Sequence, residues 1–232
     1  MTISLWRLAE ESKPSLNSLQ DFVPKLKDHL IPHLKVALMQ DPITTDISYD
    51  EPLNANTTND NHIPHDSVHL KGGQIYLHKL VRFQYTTYDV QRDQDIINPS
   101  TPHQDIMLLA TTNDDHDHPF LYGRALGIYH ANVIFTGCQS SQIYQARRFE
   151  FLWVRWYKYE GPNVRWSDSR LDRLSFPLVT TEGAFGFVDP HDVLRACHII
   201  PAFSNGKKYQ DGVGISRCAH DSQDWACYYV NW

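Results

Sequence analysis

The chain has 232 residues, a formal net charge of −6, and 41% hydrophobic, 21% charged and 12% aromatic residues. That aromatic content excludes a wholly disordered chain, the acidic balance argues against a protein built to coat nucleic acid, and no apolar run approaches the roughly 18 residues of a transmembrane helix. Four cysteines (Cys138, Cys197, Cys218 and Cys227) are too few for a disulfide scaffold. The first residues also lack an apolar signal-peptide core, so a reducing compartment, cytosol or nucleus, is expected.

Residues 1–20 read as a polar tail. Over 21–40, Leu26, Leu30, Leu34 and Leu38 recur every fourth position, which predicts one buried stripe of a helix. Asp21 suits its cap and Pro24 its first turn, while Pro32 predicts a kink or a break in two. His29 and His33 share the i, i+4 spacing of a metal pair, but no third ligand is near, and solvent-facing or helix-terminal histidines are expected. Residues 41–66, rich in Asn, Asp, Thr and Pro, predict a flexible linker.

From residue 67 the pattern is β. Val68 and Leu70 alternate, Gly72-Gly73 predicts a hairpin turn, and QIYLHKLVRFQYTTYDV continues as strand. RDQDIINPSTPHQD reads as a polar loop and DIMLLAT as a short buried strand. The long strand FLYGRALGIYHANVIFTG carries Gly123 and Gly127 as marks of a bulge or bend. RRFEFLWVRWYKYE gives the strongest strand signal. Phe149, Phe151, Trp153, Arg155, Tyr157 and Tyr159 alternate with Leu152, Val154 and Trp156, so both faces are apolar at the centre. Residues 167–182 read as loop. Asp189-Pro190 predicts a capped short helix between two strands, and CHIIPAF an edge strand ending in proline. Residues 204–224, rich in Gly and Asp, are expected to be flexible, and WACYYVNW to form a last strand.

The fold expected is therefore mainly β. An open or closed barrel of about six to eight strands spans 67–203, the helix packs outside it, short helices lie at its periphery, and 204–232 is a C-terminal extension.

Charge is uneven. Residues 1–70 hold 5 Lys and Arg against 10 Asp and Glu, whereas 147–173 hold 7 against 4 together with seven aromatics. Such a basic, aromatic stretch suits either nucleic acid or a barrel strand whose arginine stems cover apolar neighbours, and the second is expected for an acidic chain. Asp89, Asp93 and Asp95 form a carboxylate cluster, expected to cap turns or pair with Arg82 and Arg92 rather than hold a metal. Asp114, Asp115, His116, Asp117 and His118 are read as an exposed turn. Cys218, His220 and Cys227, with Cys197 or His198, are weak zinc candidates because they lack paired knuckles. No G-x-S-x-G, H-E-x-x-H or phosphate-cradling glycine loop is present. Neither an enzyme, a cofactor nor a metal is expected.

Three segments in order, Tyr122-Gly123-Arg124-Ala125-Leu126, Val154-Arg155-Trp156-Tyr157 and Asp192 to Ile199, resemble the signature strands of bromo-adjacent homology (BAH) domains across about 67–203. That resemblance implies a BAH-like β-barrel acting as a protein-interaction and chromatin-reading platform. By motif position it implies an aromatic cage for a methylated lysine of a histone tail, formed by Tyr129, Trp156 and Tyr159. KLKDHL, YTTYDVQRDQDIINP, HPFLYGRALGIYHANV, FEFLWVRW, GAFGFVDPHDVLRACHIIPAF and DWACYYVNW are similar to the C-terminal region of large Plavaka-type transposon-associated proteins of mushroom-forming fungi. This second resemblance implies a piece of a transposon-encoded protein in a nuclear setting. The readings set against it are a metal-dependent nuclease or transposase accessory domain and a DNA-binding module.

Overall fold

A computed structural model describes residues 22–39, 63–87, 89–110, 118–136, 145–162 and 171–231, together with the backbone of 2–4. The elements are β1 (Thr2–Ser4), α1 (Phe22–Met39), β2 (Val68–His78), β3 (Val81–Thr86), β4 (Arg92–Ile97), β5 (Asp105–Leu109), β6 (Phe120–Phe135), β7 (Arg147–Trp156), β8 (Lys158–Pro162), β9 (Asp172–Ser175), β10 (Phe185–Val188), β11 (Val193–Ala196), β12 (His198–Pro201) and β13 (Tyr228–Asn231). The protein is mainly β, as the alternation of its apolar residues predicts.

The long strand β6 organises the main antiparallel sheet. Strands β2 and β5 pair one after the other along one side of it, and β7 pairs along the other. β1, β11 and β10 lie outside β2, β5 and β7 respectively. No pairing joins β10 back to β1 or β11, so the sheet is open and the closed form of the expected barrel is not found. A second sheet runs β12-β13-β9-β8, and β3-β4 form a separate hairpin.

The two faces of the main sheet are covered differently. Phe22, Leu26, Leu30 and Leu34 of α1 bury against Val68, Ile75, Tyr129, Ala131, Val133, Phe151 and Trp153 on one face. Leu152, Val154, Ala125 and Ile128 on the other pack against Phe83 and Ile97 of the hairpin. Beyond the helix, the first face continues under the second sheet, where Tyr122 and Tyr157 meet Leu174, Phe176, Ile199 and Tyr228.

Several local expectations are corrected. Pro32 neither ends nor splits α1, which runs unbroken from Phe22 to Met39. The proline lies on the exposed side, and its cost of about 3 kcal/mol is offset by the four apolar side chains buried opposite. Gly72 and Gly73, at φ +66° and +60°, make an outward bulge instead of a hairpin turn, because Leu70 and Ile75 on either side both pair with β6. Part of the supposed tail, Thr2–Ser4, pairs with β2 as an edge strand. The polar loop after Val90 contains β4, and the stretch 167–182 contains β9. Asp21 and most of the expected linker lie outside the described residues. The expected bulge in β6 is present between Ala125 and Gly127. Asp189 caps a 3-10 turn, Pro190–Asp192, by accepting the His191 amide at 2.8 Å, as its sequence predicts.

The largest correction concerns 204–224, which is ordered through buried carboxylates. Asp221 accepts the amides of Ile215 and Ser216 at 2.8 and 2.9 Å. Asp224 accepts two bonds from Arg155, at 3.2 and 2.7 Å, and both side chains are fully buried. Arg155 stands directly across from Arg124 of β6, and Arg124 from Asp105 of β5. The Arg124 Nε donates to Asp105 at 3.2 Å and its Nη2 to the Tyr157 hydroxyl at 2.6 Å, which in turn donates to Asp105 at 3.0 Å. Both guanidiniums lie over the Phe176 ring, at 3.9 Å for Arg155 and 4.8 Å for Arg124. Burial pushes the Asp105 and Asp224 carboxyls up, against the pull of the arginines.

A candidate binding cleft

Where β6 begins and β7 gives way to β8, the second sheet and the turn Thr181–Ala184 leave a cleft of about 570 Å³, within the size range of small-ligand sites. Trp156 forms one wall. Its amide donates to the Ala184 carbonyl at 2.9 Å, and its ring lies across Gly123 on one neighbouring strand and Gly186 on the other. A Cβ on Gly123 would stand 3.2 Å from the six-membered part of the indole, and one on Gly186 would stand 2.5 Å from Nε1. The two glycines thus let a large ring lie flat over the sheet. Gly186→Ala is expected to push the indole outward, seen as a displaced Trp156 Nε1–H resonance by NMR. An unmoved resonance would show that the glycine does not set the ring's position.

The lining is aromatic beyond Trp156 as well. The Tyr159 ring packs at a tilt on His118 with centroids 4.3 Å apart, and His118 packs in turn near Phe120 and Tyr122. His118 Nε2 lies 3.0 Å from Asp172, which also accepts the Tyr122 hydroxyl at 3.2 Å. His118 Nδ1 meets the Phe120 backbone, 3.2 Å from its amide and 3.0 Å from its carbonyl oxygen. Both imidazole nitrogens are therefore taken. At the rim, the Lys158 ammonium pairs with Glu160 at 3.2 Å. Glu182, exposed on the turn, has no ion-pair partner among the described residues.

Of the three aromatics expected to form a cage, Trp156 and Tyr159 both line this cleft, but Tyr129 does not. Tyr129 is 5% exposed, stacks on Phe151 at 5.6 Å beneath α1, and has its hydroxyl pushed up to about 12 by burial and then by Cys218. The cause is the β6 bulge. One extra residue inverts the alternation beyond Ala125, so Tyr129 turns to the helix face while Trp156 stays on the other. Trp156, Tyr159 and His118 therefore share the cleft without Tyr129, and His118 belongs to a stretch, 114–118, that reads in the sequence as a plain turn.

The other candidates are dispersed. Cys218 packs against the core under α1, Cys227 is buried with its thiol 3.6 Å from the Tyr228 carbonyl, and His220 is exposed at φ +52°. Among the described residues no group of three His, Cys, Asp or Glu is arranged to hold a metal ion. Thr87 donates to Asp89, Tyr85 to Asp93, and the Ala196 amide to Asp95, which also lies 3.8 Å from Arg195. Asp93 and Asp95 lie on β4 rather than in a loop, and it is Arg195, not Arg82 or Arg92, that lies beside Asp95. His29 and His33 are half-buried rather than solvent-facing: His33 Nδ1 lies 3.3 Å from Asp189, and His29 packs toward Phe187. Asp114, Asp115, His116 and Asp117 lie outside the described residues.

Among the described residues, several arginines of the basic stretch bond within the fold. Arg155 is buried, Arg147 donates to the Ala37 carbonyl at 2.6 Å, and Arg148 pairs with Glu150 at 2.6 Å. No described helix is long and apolar enough to cross a membrane. In comparisons with family models, curated proteins and solved structures, none matches this chain.

Proposed function

We propose that this chain is a non-catalytic protein-interaction module, BAH-like in its strand order, that receives a histone tail in the aromatic cleft and works in the nucleus as part of a transposon-encoded protein. The observation that carries this reading is the cleft itself: about 570 Å³ lined by Trp156 and Tyr159, both held on strands. Rings fixed in this way lose little freedom on binding, which is why such residues dominate contact energies. A non-catalytic role is supported by the bonding of the polar groups nearby. His118 has no free nitrogen for proton transfer, and Asp172 already serves His118 and Tyr122. Arg147, Arg148 and Arg155 of the basic stretch bond within the fold, which favours a protein ligand over a phosphate backbone.

The test is an NMR titration of the folded chain with the four core-histone N-terminal tail peptides. Expected is a saturable shift of the Trp156 indole resonance with at least one peptide, weakened by Tyr159→Ala in a variant whose thermal transition is retained. If all four peptides leave the cleft resonances unmoved, the reading fails.

A further inference from the structure

We infer that the group this cleft selects is an arginine side chain of the partner. The inference rests on the protein-interaction reading above and names its ligand. Three features lead to it. First, the indole of Trp156 lies flat against Gly123 and Gly186 yet remains half-buried, so its remaining surface faces the cleft as a planar platform. Second, the charges around the cleft are spoken for except one. Lys158 is held by Glu160, Asp172 accepts His118 and Tyr122, and Glu182 stands at the rim without an ion-pair partner among the described residues. Third, Glu182 is only two residues from Ala184, whose carbonyl takes the Trp156 amide, so the turn that carries the carboxylate is bonded to the strand that carries the platform, and both residues line the cleft.

A flat ring beside an unpaired carboxylate suits a cation that is itself flat and rich in N–H donors. A guanidinium stacks on the ring through its face while its edge forks to the carboxylate. Trimethyl-lysine has no N–H to donate and gains most where rings enclose it on several sides, and Tyr129, the ring that would complete such an enclosure, is on the opposite face of the sheet. The net charge of −6 adds a general attraction for a basic tail.

Three probes separate these ligands on the intact chain: N-acetyl-arginine methylamide, its citrulline counterpart and its trimethyl-lysine counterpart, each titrated by NMR against Trp156 and the 181–184 turn. The arginine probe is expected to bind roughly tenfold more tightly than citrulline, because citrulline keeps the shape and loses the charge. Glu182→Gln, an exposed change, is expected to erase most of that margin. Equal binding of arginine and citrulline, tighter binding of the trimethyl-lysine probe, or an unaltered margin in Glu182→Gln would each overturn the inference. In the second case histone-tail binding at the cleft still stands. A loss of response to every tail peptide marks instead the failure of the interaction reading.

Discussion

Asp224→Ala is expected to destabilise the protein by about 3–5 kcal/mol, a large part of the stability of a typical domain. The reason is the partner left behind. Arg155 is fully buried in the middle of β7, and Asp224 supplies its two-bond carboxylate contact, with Ala219 contributing a longer bond of 3.4 Å from a carbonyl. Removing the carboxylate strands a guanidinium in a site closed to water. Arg124 stands directly opposite on β6, so two like charges would then face each other, with Asp105 beyond Arg124 on β5. The pair itself has a small net value, because both charges had to leave water. Arg155→Met with Asp224→Leu together should therefore recover most of the loss. Urea unfolding of the wild type, the single variant and the double variant makes the comparison. A single variant within about 1 kcal/mol of wild type would contradict this account of the buried pair.

This network also shows where sequence reading stops. Leucines at every fourth position mark the buried side of α1, and the alternation around Trp153 marks β7, because each is a periodic signal carried by neighbours in the chain. Asp189-Pro190 is equally local, a cap followed by the residue that needs none. The order in 204–224 is only partly local. Its acidic residues look like those of a solvated loop; Asp221 turns inward onto the amides of Ile215 and Ser216, but what holds Asp224 inside is Arg155, 69 positions earlier. Nothing in the spacing of Asp221 or Asp224 separates a carboxylate turned inward from one turned to water.

The cleft was legible in half. Trp156 and Tyr159, singled out by their position in the BAH-like motif, do line it. Motif position does not carry the facing of Tyr129, since a bulge can be suspected from Gly127 but its effect on facing depends on which residue is extra. The close approach explains the glycine: a Cβ at Gly127 would run into the Tyr129 ring. Glu182, on which the choice of ligand turns, carried no signal in the sequence because its meaning lies in being the carboxylate left without a partner beside Trp156.

Acidification from pH 7.5 to 4.5 is expected to weaken the attachment of α1 through His29. This imidazole packs toward Phe187 and stands 5.0 Å, ring to ring, from His33. Burial first, and the neighbouring His33 second, push it down to about 4, against a smaller upward pull from Asp189. The unfolded chain titrates near 6.5, so between those values it binds the proton that the folded chain refuses, and stability falls as pH falls through this window. Other groups at the joint act differently. Burial alone would raise the Asp189 carboxyl, but bonds from the His191 amide and ring and the charge of His33 hold it low, so its contribution is lost only in stronger acid. His191, raised by its bond to Asp189, has the opposite sign to His29, yet its side chain is 92% exposed and its effect is screened. Arg148 and Glu150 line a hollow of about 280 Å³ with His33, Asp189 and His191, and pair with each other. Urea midpoints at the two pH values for wild type and His29→Leu isolate the one group. The wild type is expected to lose roughly 2 kcal/mol more than the variant on acidification. Equal losses in the two proteins would mean that His29 stays uncharged in both states or is charged in both, and that acid acts on the fold elsewhere.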